Sequence, residues 1–186
     1  MPDIIELETE RLILRQWMHD DFLPYAQMCA DPRVMEYFPA TLSQNESKEM
    51  ALRCQSLIAE RGWGLWALEE KASGNFIGFT GLHIPKATLP FSPCVEIGWR
   101  LSADYWGKGL ASEAARASLK VGFETLALDE IVSFTTLTNT RSQAVMKRLG
   151  MTLDPETFKH PDLDPDHELI EHCLYRLSKT DWSHNK

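Results

Sequence analysis

Val95–Ala115 reads VEIGWRLSADYWGKGLASEAA, and this stretch decides the fold. Its opening belongs to a strand over residues 94–101, because side chains alternate: Val95, Ile97 and Trp99 share one face, and Glu96, Gly98 and Arg100 the other. A short loop with Gly107 and Gly109 follows. A helix then starts at once, from about Leu110 to Ala127, with Ala111, Ala115, Leu119, Gly122, Phe123 and Leu126 on one stripe. Glycine lets such a loop turn so that successive N–H groups converge. The helix start adds its own free N–H groups and a partial positive charge. Strand, glycine loop and helix start together make a cradle for a diphosphate that needs few basic side chains, with Lys108 adding one.

Two familiar phosphate binders do not fit. A nucleotide P-loop needs GxxxxGK followed by Ser or Thr, and the chain contains none. A dinucleotide fingerprint needs GxGxxG, and Gly107-Lys108-Gly109-Leu110-Ala111-Ser112 lacks the last glycine and a following βαβ repeat. Taken alone, the same loop is also a plain strand-to-helix turn.

Outward from this stretch, residues 9–17 (TERLILRQW) alternate as a strand. A helix runs from His19 to about Asp31, ended by Pro32. Ser43 and Glu46 form a capping box that opens a second helix to about Arg61, broken by Gly62 and Gly64. Residues 63–69 and 76–84 form a hairpin, followed by a Pro-rich loop over 85–93. Beyond the central helix come a strand over 131–137 and a helix from Thr140 to Leu149, stopped by Gly150. A polar loop over 154–166 precedes a last strand over about 169–177. The order β-α-α-β-β-β-α-β-α-β-β predicts an α/β (α+β) domain around one central sheet.

The composition narrows the function. The chain has 186 residues, 44% apolar and 25% charged, so a single globular domain over 1–186 is expected. Its net charge of -8 argues against nucleic-acid or anionic-membrane partners. No apolar run reaches the ~20 residues of a membrane span. MPDIIELETE lacks the pattern of a signal peptide, and the Asn45-Glu46-Ser47 sequon carries no weight without one. Cys29, Cys54, Cys94 and Cys173 stand apart without a CxxC pair, as expected of reduced thiols in a cytoplasmic protein. The run His167-Glu168-Leu169-Ile170-Glu171-His172 is not HExxH, so no metal is expected.

The loop Trp106-Gly107-Lys108-Gly109-Leu110-Ala111 resembles the Q/R-x-x-G-x-G/A diphosphate motif of the GNAT superfamily of N-acetyltransferases. Gly109 and Ala111 take its two small positions, and Trp106 replaces the usual Gln or Arg. The variant YWGKGLASEA is similar to that of the RimJ/RimL-like branch, named for ribosomal-protein N-terminal acetyltransferases. So are the opening TERLILRQW, the Asn139-Thr140-Arg141-Ser142 run followed by VMKRLGM, and the closing HPDLDPDHELIEHCLYRL. The resemblance spans about residues 8–178.

The resemblance implies a single GNAT-type domain with a mixed, mostly antiparallel sheet, helices on its faces, and its fourth and fifth strands parallel but splayed. It implies acetyl-CoA as co-substrate. The pantetheine arm would meet Ile97, Gly98, Trp99 and Leu101, and the diphosphate would meet Trp106, Gly107, Lys108, Gly109, Leu110, Ala111 and Ser112. Asn139 and Ser142 would lie near the thioester sulfur. A homodimer is common among similar proteins.

Acetyl transfer to an amine needs a neutral nitrogen, a polarised thioester carbonyl and a protonated or hydrogen-bonded leaving thiolate. A free Lys side chain has a pKa of ~10.4 and an α-amine ~8, so a base must act. Glu96 is the candidate base, a backbone N–H of Ile97 or Gly98 the candidate polariser, and Ser142 the candidate partner of the sulfur. Against these roles stand plain ones: Glu96 could order water or pair with Arg, and Ser142 could make a local cap bond. Tyr105 and Tyr175 are left without a role.

The leading expectation is direct transfer of acetyl from acetyl-CoA to a primary amine in a ternary complex. The amine would be a protein N-terminal α-amine or a small-molecule or peptide acceptor. The alternative is a non-catalytic acyl-CoA-binding module, and a nucleotide-phosphate enzyme is a weaker third. Charge is partitioned: residues 100–150 hold seven Lys or Arg against five Asp or Glu, while the flanks together carry -10. Such flanks, with the acidic run Asp162, Asp164, Asp166 and Glu168, suit a cationic acceptor.

Overall fold

The computed structural model describes residues 2–184. The expected opening strand is two: β1 (Leu7–Glu8) and β2 (Leu12–Arg15). Thr9 causes the break. Its N–H donates to the Leu12 carbonyl at 2.9 Å and its Oγ1 accepts the Leu12 N–H at 3.0 Å, folding β1 back on β2. A 3-10 turn over His19–Asp21 leads into α1 (Phe22–Ala30). The capping box forms: Ser43 Oγ accepts the Glu46 N–H, and Glu46 accepts the Ser43 N–H at 2.8 Å. It opens α2 (Gln44–Arg61), which ends on Gly62 at φ +82°.

The hairpin is β3 (Leu65–Glu70) and β4 (Asn75–His83). Then come β5 (Glu96–Leu101), α3 (Leu110–Lys120) with a π turn over Val121–Thr125, β6 (Glu130–Thr136) and α4 (Thr140–Arg148). The chain closes with β7 (Thr152–Lys159), β8 (Glu171–Ser178) and α5 (Lys179–His184). The loop expected over 154–166 therefore starts too early. Pro155 lies inside β7, which it can do because β7 is an edge strand and the pairing with β8 slips between Leu153 and Thr157.

One sheet of eight strands runs β1-β2-β3-β4-β5-β6-β8-β7. Every neighbouring pair is antiparallel except β5 and β6, and those two meet at one residue pair, Glu96 with Val132. The sheet is thus whole on either side of a seam that opens along β5. Helix α3 bridges the seam: Leu110 and Ala114 pack into one hydrophobic cluster with Trp17, Tyr25 and Trp66, whereas Ala115 and Leu119 pack into another with Ile131, Met146 and Tyr175. A third, smaller cluster of Leu89, Val132, Phe158 and Leu174 sits under the Pro-rich loop. Trp17 and Trp66 are core residues whose indoles donate to the carbonyls of Leu65 and Ile5, each at 2.7 Å. All four cysteines are free thiols.

Candidate active site

The seam between β5 and β6 follows from backbone geometry. In the bridge centred on Glu96 and Val132, the Val95 carbonyl accepts the Val132 N–H at 3.0 Å, and the Ile97 N–H turns to Val132 in return. Ser133 then fills the next step with its side chain, its hydroxyl donating to the Ile97 carbonyl at 2.9 Å. Further on, the Leu101 carbonyl accepts the Trp106 indole N–H at 2.9 Å. By strand alternation Trp99 faces the same gap, so its N–H is the first beyond the bridge to open on it. Neither of the two N–H groups expected as polarisers opens on this gap. The Ile97 N–H is spent in the ladder and its side chain is fully buried, while Gly98 turns its N–H to β4, opposite Gly81.

The glycine cradle lies at the open end of the seam. Gly107 and Gly109 have φ of +73° and +78°, a left-handed backbone that L side chains rarely adopt. Gly109 caps α3, and the Glu113 N–H is the first of the helix to bond back, to the Gly109 carbonyl at 3.0 Å. The N–H groups of Leu110, Ala111 and Ser112 are left without intrahelical partners. Ser112 Oγ is shielded from solvent with no hydrogen-bond partner. A diphosphate fits these orphaned donors.

The cradle is buttressed from the far edge of the sheet. Arg11 donates from Nη1 to the Lys108 carbonyl at 2.9 Å and pairs with Glu113 at 2.6 Å. Glu113 also accepts from the Thr9 hydroxyl at 2.6 Å and the Arg11 N–H at 2.9 Å. Burial pushes the Glu113 carboxyl up, but these bonds outweigh it and hold it below its ordinary range. Lys108 itself leans over the Tyr105 ring.

On the face of β5 opposite Ile97, Glu96, Gly98 and Arg100 stand in a row. Glu96 is largely buried and pairs through Oε2 with His83 Nε2 at 2.9 Å, across the β4–β5 ladder. Above Gly98 there is open space: a Cβ built there meets nothing within 4 Å.

Helix α4 brings the last expected residues to the far bank. Asn139 caps it, its Oδ1 accepting the Ser142 N–H at 3.1 Å while its Nδ2 donates to Thr135 of β6 at 3.0 Å. Asn139 thus fixes where Ser142 stands. Sequence reading missed Arg141, which stacks over Trp106 at 4.4 Å and pairs with Glu36 of the α1–α2 loop at 2.6 Å. It also missed His83, Ser133, Arg11 and Glu113. Alternation placed His83 on a strand, but only register puts it opposite Glu96. Among the described residues no group of three or more His, Cys, Asp or Glu could hold a metal ion, and no helix is long and apolar enough to cross a membrane.

Comparison with known proteins bears on this arrangement. A family profile described as "Acetyltransferase (GNAT) domain" matches residues 11–152. The chain is 29% identical over 185 residues to the FsC-acetyl coenzyme A-N(2)-transacetylase of Aspergillus fumigatus, covering 95% of this chain and 77% of that one. An acetyltransferase structure from Agrobacterium tumefaciens superposes with a TM-score of 0.75 at 30% identity, covering 95% of this chain and 96% of that one. A GNAT-family acetyltransferase from Bacillus anthracis shares the fold, with a TM-score of 0.78 at 24% identity, covering 95% and 99%.

Proposed function

Because this chain belongs to the GNAT acetyltransferase family, we propose that it moves the acetyl group of acetyl-CoA directly onto a primary amine, within a ternary complex. The observation that carries this reading is the seam: one parallel pair at Glu96 and Val132, an open Trp99 beyond it, and the glycine cradle at its mouth. Acetyl-CoA would supply an activated thioester.

The chain's own residues then have distinct tasks. The N–H groups of Leu110, Ala111 and Ser112, with the Ser112 hydroxyl, hold the diphosphate. The edge of β5 from Trp99 to Leu101 pairs with an extended arm as it would with a strand. The Trp99 N–H donates to the acetyl carbonyl oxygen. Glu96 takes the proton of the incoming ammonium at its carboxylate, and His83, more exposed, passes it toward solvent. Ser142 Oγ donates to the leaving sulfur.

The motif variants quoted above support a place in the RimJ/RimL-like branch, with a protein N-terminal α-amine or a small amine as acceptor. The acidic flanks favour an acceptor that arrives as a cation. Release of CoA thiol, followed across a panel of peptides and amines, tests the proposal. Turnover with at least one acceptor is expected. Tight CoA binding without turnover by any acceptor would make the chain an acyl-CoA-binding module instead.

A further inference from the structure

Arg100 is a buried cation with no anion. It is 8% exposed, and no carboxylate pairs with it among the described residues. Its Nε has no hydrogen-bond partner. Its Nη1 reaches only the Tyr25 hydroxyl and Cys29 Sγ, both at a long 3.4 Å. The rest of its surroundings are aromatic: Phe38 lies 4.2 Å from the guanidinium and Phe79 5.4 Å. Burial pushes the Tyr25 phenol far above its ordinary value and Cys54 up to about 11, so both stay neutral. Removing a charge from water without pairing it is costly, and a structural arginine would carry a carboxylate beside it.

The position points to what is missing. Arg100 shares its strand face with Glu96 and Gly98, and it follows Trp99, the residue whose N–H opens on the seam. Open space lies above Gly98, and Phe38, the ring over the guanidinium, is 38% exposed. We infer that Arg100 is the anchor for a carboxylate on the acceptor, so that the substrate is an amino acid or a similar amine bearing a free carboxylate close to the reacting nitrogen. The planar guanidinium matches a carboxylate through two parallel hydrogen bonds, and Nε is one of the donors left for it. The ammonium end lies toward Glu96 and the carboxylate toward Arg100, so the acceptor spans the row as a zwitterion. A protein N-terminus, whose neighbouring carbonyl is an amide, lacks this group. The inference rests on acetyl transfer to an amine and selects among its acceptors.

Two measurements separate the inference from that reading. The first is binding by calorimetry of the N-acetyl derivatives of the twenty amino acids, each against its carboxamide, to the CoA-saturated protein. It needs no turnover. At least one acid is expected to bind roughly 10- to 100-fold more tightly than its amide. Arg100→Met keeps the side-chain volume and is expected to abolish the difference, whereas Arg100→Lys keeps the charge, loses the fork and retains part of it. Thermal midpoints confirm that both variants fold. The second measurement is CoA-thiol release with the matching free amino acids and amino-acid amides, where the acids are expected to win in kcat/KM by a similar factor. Equal binding of acids and amides to wild type, or an Arg100→Met variant that weakens both alike, would overturn the carboxylate anchor. Carboxylate-selective binding with no turnover of any amine would instead overturn acetyl transfer and leave the anchor standing.

Discussion

The proposed chemistry rests on a few atoms at β5 and the cradle. Glu96 and His83 touch at 2.9 Å on the strand face that also holds the open space above Gly98. Glu96→Gln keeps the shape and the His83 contact but cannot take a proton. CoA affinity, measured by calorimetry, should stay within about twofold, and kcat should fall by roughly 10²-fold or more near neutral pH, where most amine is protonated. A variant as fast as wild type would move the base elsewhere. Gly109 offers a second test. Its φ of +78° strains any L side chain, a Cβ built there comes 3.7 Å from Arg11 Nη2, and a carboxylate at this helix start adds negative charge where a diphosphate would bind. Gly109→Glu should therefore lose CoA binding below detection and about 1 kcal/mol of stability. Both sites are legible in the sequence, because glycine spacing and strand alternation are local. The His83 partner and the burial of Arg100 are not, because they depend on which strands pair and in what register.

Elements show where local signals suffice. The capping box at Ser43 opens α2, and Gly62 after α2 and Gly150 after α4 end their helices, each through bonds within a few residues, and the structure keeps all three. Strand edges are less local. Thr9 splits the opening strand by one side-chain bond, and Pro155 sits in β7 only because β7 is the last strand of the sheet. The buttress between the Thr9–Arg11 turn and α3 joins elements about a hundred residues apart. Glu113 is its centre, and its carboxyl is held below the ordinary range. Stability from such a depressed carboxyl is present above the unfolded value of about 4.3 and is lost as pH falls through the folded value. Glu113→Gln should lower stability by on the order of 1 kcal/mol at pH 7. In urea titrations the gap to wild type should close below about pH 4; a gap that persists there would mean that packing, not charge, is lost.

Across the whole molecule the seam is a weak line. One hydrophobic cluster lies on the β2–β5 side, and a second crosses the seam by packing Leu82 and Ile97 with Ile131 and Tyr175; α3 belongs to both, and along the strands only the Glu96–Val132 pair and the Ser133 hydroxyl on Ile97 tie β5 to β6. A ligand that fills the seam acts as the missing strand and binds only the folded chain. Acetyl-CoA at a hundred times its Kd should add about 2.7 kcal/mol and raise the thermal midpoint by roughly 5–10 °C. Amide exchange at Trp99 should slow at the same time; a shift in midpoint without that slowing would place the ligand elsewhere. The sequence by itself determined the element types, the glycine cradle and the family, because helix caps, alternation and tight turns are settled over a few residues. The tertiary structure alone decided which backbone N–H opens on the seam, which histidine meets Glu96, and that Arg100 is buried without an anion. Those facts depend on strand order and register, which bring residues far apart in the chain to within a bond length of one another.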